Sequence, residues 1–187
     1  PCPNRPRCRR PGSAENPRPW PGSSIGVSIV EAGGFAGPLA EAMSFDGRAV
    51  VERYVQGREI TVGIVGDKAL PVFELCPHHK FFDYTAKYTK GETDYIIDPD
   101  LPEGVAQKAR HMALNAFESL GCRDLARVDM IYGADGRLYV LEVNTIPGFT
   151  ETSLVPMAAA ARGRDFPALC AEIVGMALER ISATRTR

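Results

Sequence analysis

The sequence predicts an α+β fold, an antiparallel sheet with helices packed on it, and three observations predict it. Residues 49–75 hold three β-like runs, AVVERYV, EITVGIV and ALPVFEL, separated by Gly57 and by the Gly66-Asp67 pair as antiparallel turns require. Residues 102–121 space their apolar side chains as a helix does rather than as a strand does. Residues 125–144 read strand, turn, strand about Asp135-Gly136, a strong signal for a two-residue hairpin.

Taken in order, the opening segment PCPNRPRCRRPGSAENPRPW is rich in Pro, Arg and small polar residues and predicts a disordered arm over 1–21. SSIGVSIV then reads as a Gly-rich turn entering a strand, and PLAEAMSF as a short helix. The three β-like runs follow. Residues 76–100 are polar, aromatic and irregular, too long for an idle connection and therefore expected to be functional. Pro102 and Glu103 open a helix that aligns Val105, Ala109, Met112, Ala113, Ala116, Phe117 and Leu120, and Gly121 ends it. After the Pro147-Gly148 break, an apolar stretch through Met157 leads to a last helix from about Phe166 to Ile181, with Leu169, Ile173, Met176, Ala177 and Ile181 on one side.

Composition limits the function classes. At 187 residues, 44% hydrophobic and 24% charged, the chain suits one globular unit or two small ones. Twenty-two Lys and Arg against 23 Asp and Glu leave no basic excess, so bulk electrostatics give no support to a nucleic-acid partner. No apolar run reaches the ~18 residues of a membrane span, and the start lacks the apolar core of a secretory signal. The expectation is a cytoplasmic chain without a membrane partner. Cys2, Cys8, Cys76, Cys122 and Cys170 are odd in number and scattered, which predicts unpaired thiols in a reducing compartment.

The chemistry lies in the hairpin. With Asp135 and Gly136 as turn residues, Asp129 falls opposite Glu142 and Arg127 opposite Asn144, all four on one face. A four-residue loop, Gly133 to Gly136, moves the register by two and leaves the same four on that face. Facing carboxylates repel unless something positive lies between them. A solvated polar face is the plain alternative. Against it, the other face carries Val128, Met130, Ile131, Tyr132, Leu141 and Val143, enough apolar character to anchor a core. Two carboxylates and an amide carbonyl are all-oxygen donors, which suit Mg²⁺ and the phosphates it brings.

The segments GSSIGVS, GREITVGIVG, FFDYTAKYTKGET, LARVDM and LYVLEVNTIPGFTETSLVP, in this order and spacing, resemble the second half of a D-alanine-D-alanine ligase of the ATP-grasp superfamily. The resemblance runs from about Gly22 to the C-terminus. It implies the ATP-grasp C-terminal domain over 57–187, a remnant of the central domain over 22–56, and use of ATP with Mg²⁺ (or Mn²⁺). The implied reaction, part of peptidoglycan precursor synthesis, phosphorylates one D-alanine on its carboxylate, and the amine of a second D-alanine displaces phosphate from the acyl phosphate. The implied parent enzyme is a homodimer.

The resemblance also implies residue roles. Asp129, Glu142 and Asn144 match the metal ligands, with Glu142 bridging two ions, and Arg127 matches the arginine that stabilises the oxyanion. Read without the resemblance, Arg127 is a hairpin salt bridge to Asp129. Glu52 and Val55 fall where adenine binds, Val55 through its backbone, and Glu59 where a carboxylate takes the ribose hydroxyls. Lys87 and Tyr88 match a loop that closes over the phosphates. Ser23 and Ser24 match a serine pair covering the active site, Ser153 and Leu154 the pair that receives the second D-alanine carboxylate, and Gly148 a backbone contact nearby. His78 and His79 read as loop residues, and no cysteine receives a role.

Departures from the family pattern also matter. The family carries a phosphate-binding lysine before a proline ahead of the Gly-Ser-Ser loop, where this chain has Pro17 and Arg18. Nothing upstream resembles the domain that binds the first D-alanine. The 187 residues are therefore expected to be inactive alone. The competing readings are a D-alanine-D-lactate or D-alanine-D-serine ligase, which Tyr88 and its loop disfavour, and a noncatalytic nucleotide- or partner-binding remnant.

Overall fold

The computed structural model describes residues 27–31, 33–77 and 93–185. They fall in two compact units, one holding 56–76 and 95–185, the other 27–31, 33–55, 77 and 93–94. The expected arm over 1–21 and the pair His78 and His79 lie outside the described residues.

In the second unit, α1 (Ala36–Asp46) is the helix expected from PLAEAMSF. Gly47, at φ 71°, ends it and donates its N–H to the Met43 carbonyl oxygen at 2.7 Å, a left-handed closure that glycine adopts without a Cβ penalty. Two expected strands are absent. Residues 27–30 and the run 49–55 lie in no strand, and Val50 is 85% exposed. β-branched residues favour a strand only where a neighbouring strand and a packed face receive them, and neither run joins the sheet among the described residues.

The first unit is built on a sheet. β1 (Gly57–Val65) and β2 (Lys68–Pro77) form an antiparallel hairpin closed by Gly66-Asp67, with Val65 opposite Lys68. β4 (Leu125–Gly133) pairs with β1 on its other side, and β5 (Leu138–Asn144) pairs with β4. β3 (Thr93–Ile97), which the irregular character of 76–100 did not announce, lies at the far edge, giving the order β3-β2-β1-β4-β5. The α+β class and its antiparallel sheet agree with the expectation.

Each face of this sheet is packed separately. On one, Ile60, Val62, Ile64, Val72, Val128 and Met130 form a core with Ala109, Ala113 and Phe117 of α2 (Val105–Ser119). The stripe Val105, Ala109, Ala113 and Phe117 recurs every fourth residue and is the face α2 buries. Leu120, expected on that stripe, is 67% exposed, because the helix has ended and Leu120 is its C-cap. On the other face, Val65, Leu70 and Phe73 pack with Val155, Ala158 and Ala159 of α3 (Leu154–Ala160) and with Leu169 of α4 (Phe166–Arg185). Asp165 caps α4 by accepting the Ala168 N–H at 2.8 Å. Ile181, expected on the buried side of α4, is exposed, since the helix runs past the core that its earlier turns cover.

An ion pair closes the α2 face at one end. Arg58 donates through Nε to Glu74 Oε1 at 2.8 Å, its Nη2 meets Oε2, and its Nη1 reaches the Asp100 carbonyl oxygen at 2.7 Å. Glu74 is only 1% exposed, and the guanidinium beside it is held charged even more firmly than an ordinary arginine. Cys122 and Cys170 are free thiols as expected, whereas Cys76 is disulfide-bonded, a proximity that spacing along the chain cannot show. No helix among the described residues is long and apolar enough to cross a membrane.

Candidate functional site

The Asp129 and Glu142 carboxylates come to one face by an unexpected route. The β4–β5 turn has neither two nor four loop residues but three, Ala134 to Gly136: Gly133 donates to the Arg137 carbonyl oxygen at 2.8 Å, and Gly136 takes φ 78°. This odd loop sets Met130 opposite Val140 and Tyr132 opposite Leu138. Continued unchanged, that register would set Glu142 opposite Val128 and turn it toward the α2 core. A β-bulge between Asp129 and Met130 takes up one residue, Leu141, and restores the pairs Asp129 with Glu142 and Arg127 with Asn144. Two one-residue shifts cancel. Leu141, expected to anchor the core, is the bulged residue and is 54% exposed, and Ile131, also expected on the core face, lies on the Asp129 face because it alternates in phase with Asp129 along β4.

Around this pair, β1 supplies further groups. Thr61 lies opposite Asp129, Gly63 opposite Arg127 and Glu59 opposite Ile131, so strand alternation puts Glu59 and Thr61 on the face of Asp129. At Gly63 a Cβ would stand 3.1 Å from Leu70 Cδ1 and 3.2 Å from Val155 Cγ2, so the missing side chain lets α3 seat closely beside this face.

Asp129 is held from two sides. Arg127 grips it in a bidentate pair, Nε to Oδ1 at 2.8 Å and Nη2 to Oδ2 at 2.7 Å. The Thr61 hydroxyl stands 2.6 Å from Oδ1 and 3.1 Å from the Val128 carbonyl oxygen. Arg127 thus supplies the positive charge that facing carboxylates require, as its reading as a hairpin salt bridge anticipated. Asn144 Oδ1 accepts the Ile146 N–H at 3.1 Å, which fixes the amide and leaves its oxygen a second lone pair. Tyr95 on β3 lies near enough to Arg127 to feel its charge: burial pushes the phenol up, and the guanidinium partly offsets this. Among the described residues no three His, Cys, Asp or Glu side chains gather. Asp129, Glu142 and Asn144 offer two carboxylates and an amide oxygen, a set for a hard cation rather than zinc.

A second cluster forms in the loop before α3. Ser153, the N-cap residue of α3, makes no side-chain cap; its Oγ accepts the Thr150 N–H at 3.0 Å and lies 2.9 Å from Thr150 Oγ1. The same Oγ would be 3.3 Å from a Cβ at Gly148, which brings Ser153 and Gly148 together. Leu154 packs at the edge of the core under α3 and α4.

A family profile described as the D-ala D-ala ligase C-terminus matches residues 19–175. The chain belongs to this family. It is 44% identical over 171 residues to a D-alanine-D-alanine ligase of Pelotomaculum thermopropionicum, covering 89% of this chain and 54% of that protein. It is 46% identical over 153 residues to one from Thermotoga sp. strain RQ2, covering 79% of this chain and 50% of that protein. The chain thus spans about half the length of these curated relatives. Among solved structures, the D-alanine-D-alanine ligase of Coxiella burnetii superposes with a TM-score of 0.72 at 28% identity over 86% of this chain and 43% of that one. The Bacillus anthracis ligase complexed with ATP gives 0.60 at 36% identity over 71% and 43%.

Within this D-ala D-ala ligase C-terminus chain, the residues singled out from the sequence divide three ways. Glu59, Arg127, Asp129, Glu142 and Asn144 share one sheet face, and Gly148, Ser153 and Leu154 share one loop and helix start. Glu52 and Val55 belong to the second unit, and Glu52 is exposed in irregular chain. Ser23, Ser24, Lys87 and Tyr88 lie outside the described residues. Sequence reasoning missed Thr61 and Tyr95. A signal for Thr61 existed: it is the one hydroxyl in the aliphatic run EITVGIV and alternates in phase with Glu59.

Proposed function

We propose that this chain is the nucleotide- and metal-holding part of a D-alanine-D-alanine ligase, with 57–187 as the ATP-grasp C-terminal domain and 22–56 as part of the central one. The observation that carries the reading is the restored register, which sets Asp129 against Glu142 and Arg127 against Asn144 on one face of a family-matched chain. In this reading ATP, with Mg²⁺ or Mn²⁺, phosphorylates the carboxylate of a first D-alanine, and the amine of a second displaces the phosphate.

The chain's own residues act by holding and by fixed charge. Asp129, Glu142 and the Asn144 oxygen would hold a cation, which would supply charge to offset the phosphates, and Glu59 on the same face would take the ribose hydroxyls. Arg127, two residues from Asp129 on β4, is a donor fork of fixed charge for the oxyanion that develops during acyl transfer. Ser153, with its hydroxyl turned back toward Gly148, receives the second D-alanine carboxylate together with the Leu154 backbone. By the family resemblance, a covering role is assigned to Lys87, Tyr88 and Ser23, and adenine binding to Glu52 and Val55. The activity is assigned to the cytoplasm.

The test joins this chain to the remaining half of the Pelotomaculum thermopropionicum relative and measures D-alanine-dependent phosphate release from ATP. The expected result is turnover in the ordinary enzyme range of ~1 to 10³ per second, abolished by Asp129→Asn, with dipeptide as the main product when D-alanine and D-lactate compete. A folded chimera that releases no phosphate, or one in which Asp129→Asn is silent, refutes the proposal.

A further inference from the structure

Thr61 carries an inference about the metal face that rests on the reading above. Its side chain sits on β1 opposite Asp129 and is 2% exposed, in a run from Ile60 to Val65 whose other side chains are all aliphatic. Threonine is not there for packing alone: valine has nearly the same shape and leaves no hydroxyl to satisfy in a buried place. The hydroxyl is satisfied, and by the carboxylate, at 2.6 Å from Asp129 Oδ1. Its one proton is shared between that oxygen and the Val128 carbonyl oxygen at 3.1 Å, with the shorter contact to the charged acceptor.

Asp129 therefore has two holders of different kinds. Arg127 spans both carboxylate oxygens from the same strand, through a long side chain that is 17% exposed. A cation approaching Asp129 competes with that guanidinium for the same lone pairs, because both are positive and both need the carboxylate. Thr61 is neutral, short, buried and anchored on the neighbouring strand, so it does not compete by charge and has nowhere to move. We propose that Thr61 is a positioning residue for the metal face: its hydroxyl fixes the Asp129 carboxylate when a divalent cation draws it away from Arg127. The guanidinium released from Asp129 is then available to bind other anions on this face. Thr61 itself touches neither cation nor substrate.

The experiment titrates Mn²⁺ alone into the 187-residue chain and follows free Mn²⁺ by electron paramagnetic resonance, comparing Thr61→Val, Thr61→Ser and Asp129→Asn, with folding checked by circular dichroism. Thr61→Val is expected to weaken Mn²⁺ binding by about 10- to 100-fold, the usual effect of removing a group that orients a metal ligand. Thr61→Ser, which keeps the hydroxyl, is expected to bind like the unaltered chain, a rescue that a purely packing role would not produce. If Thr61→Val fails to fold, Thr61→Ser is compared with Thr61→Cys, which has the same shape but a weaker donor, and the cysteine variant is expected to bind more weakly. Equal affinity in Thr61→Val, or in that substitute pair, while Asp129→Asn loses binding, overturns the role of Thr61 and leaves the metal reading standing. Unchanged binding in Asp129→Asn, or no binding by the unaltered chain, overturns the metal reading and this inference with it.

Discussion

Replacing Arg58 by methionine is the perturbation whose size the fold determines best. Glu74 is 1% exposed, and Arg58 meets both of its carboxylate oxygens while also reaching the Asp100 carbonyl oxygen. Removing the guanidinium takes from the buried Glu74 carboxylate the donor that meets both its oxygens, and breaking a buried ion pair in this way costs about 3–5 kcal/mol. Methionine keeps most of the side-chain volume, so little of this loss comes from a cavity. Equilibrium urea unfolding followed by far-ultraviolet circular dichroism measures it. With a urea slope of about 1–3 kcal/mol per molar, the midpoint should fall by roughly 2 M. The companion change Glu74→Leu removes the other charge, and the double variant should recover most of the loss, because an apolar pair of similar volume replaces a buried ion pair at little cost. A single variant within about 1 kcal/mol of the parent would show that Arg58 is not what holds the Glu74 charge. An equally damaged double variant would show that the loss arises from packing, and either result refutes the reasoning.

Other outcomes follow from single residues. Gly57→Ala should unfold the start of β1, because the new Cβ would stand 2.2 Å from the Tyr132 carbonyl oxygen and 2.8 Å from Gly133 Cα, and backbone cannot yield as a side-chain tip can; loss of amide-exchange protection over 57–61 checks it. The Tyr139 hydroxyl donates to Asp135 Oδ2 at 2.6 Å and holds that carboxyl below the usual aspartate range. This depressed value favours the folded state above the unfolded aspartate pKa of about 3.9 and loses that effect as pH falls through the folded value. Tyr139→Phe should therefore move the Asp135 midpoint upward in a carboxyl carbon NMR titration. The 187-residue chain alone should release no phosphate from ATP with D-alanine present, since phosphoryl transfer depends on positioning and charge that it shares with residues it does not span.

The legibility of this chain tracks how local each signal is. The β1–β2 hairpin was readable because Gly66-Asp67 and the flanking apolar runs are adjacent in sequence, and α2 because its four-residue stripe of Val105, Ala109, Ala113 and Phe117 is self-contained. The site face was readable for a less secure reason. The turn was misjudged by one residue, and the bulge at Leu141, which no residue type announces, cancelled the error. Runs whose structure depends on distant neighbours misled: 49–55 has strand composition, yet it lies in no strand and Val50 is exposed. Contacts between distant segments were not readable at all. Thr61 meets Asp129 from 68 positions away, and Arg58 meets Glu74 only because β1 and β2 fold back on each other.

The account stands on one claim, that Asp129, Glu142 and Asn144 form a divalent-cation site facing the nucleotide. Crystals of this chain grown with Mn²⁺ and a non-hydrolysable ATP analogue, measured at the manganese absorption edge, test it directly. The predicted result is an anomalous peak about 2 Å from oxygens of Asp129, Glu142 and Asn144 and bonded also to phosphate oxygens, with the Arg127 guanidinium displaced from Asp129 and the Thr61 hydroxyl still upon it. A peak coordinated elsewhere, or nucleotide bound with Arg127 still gripping both Asp129 oxygens and no metal between the carboxylates, would contradict it.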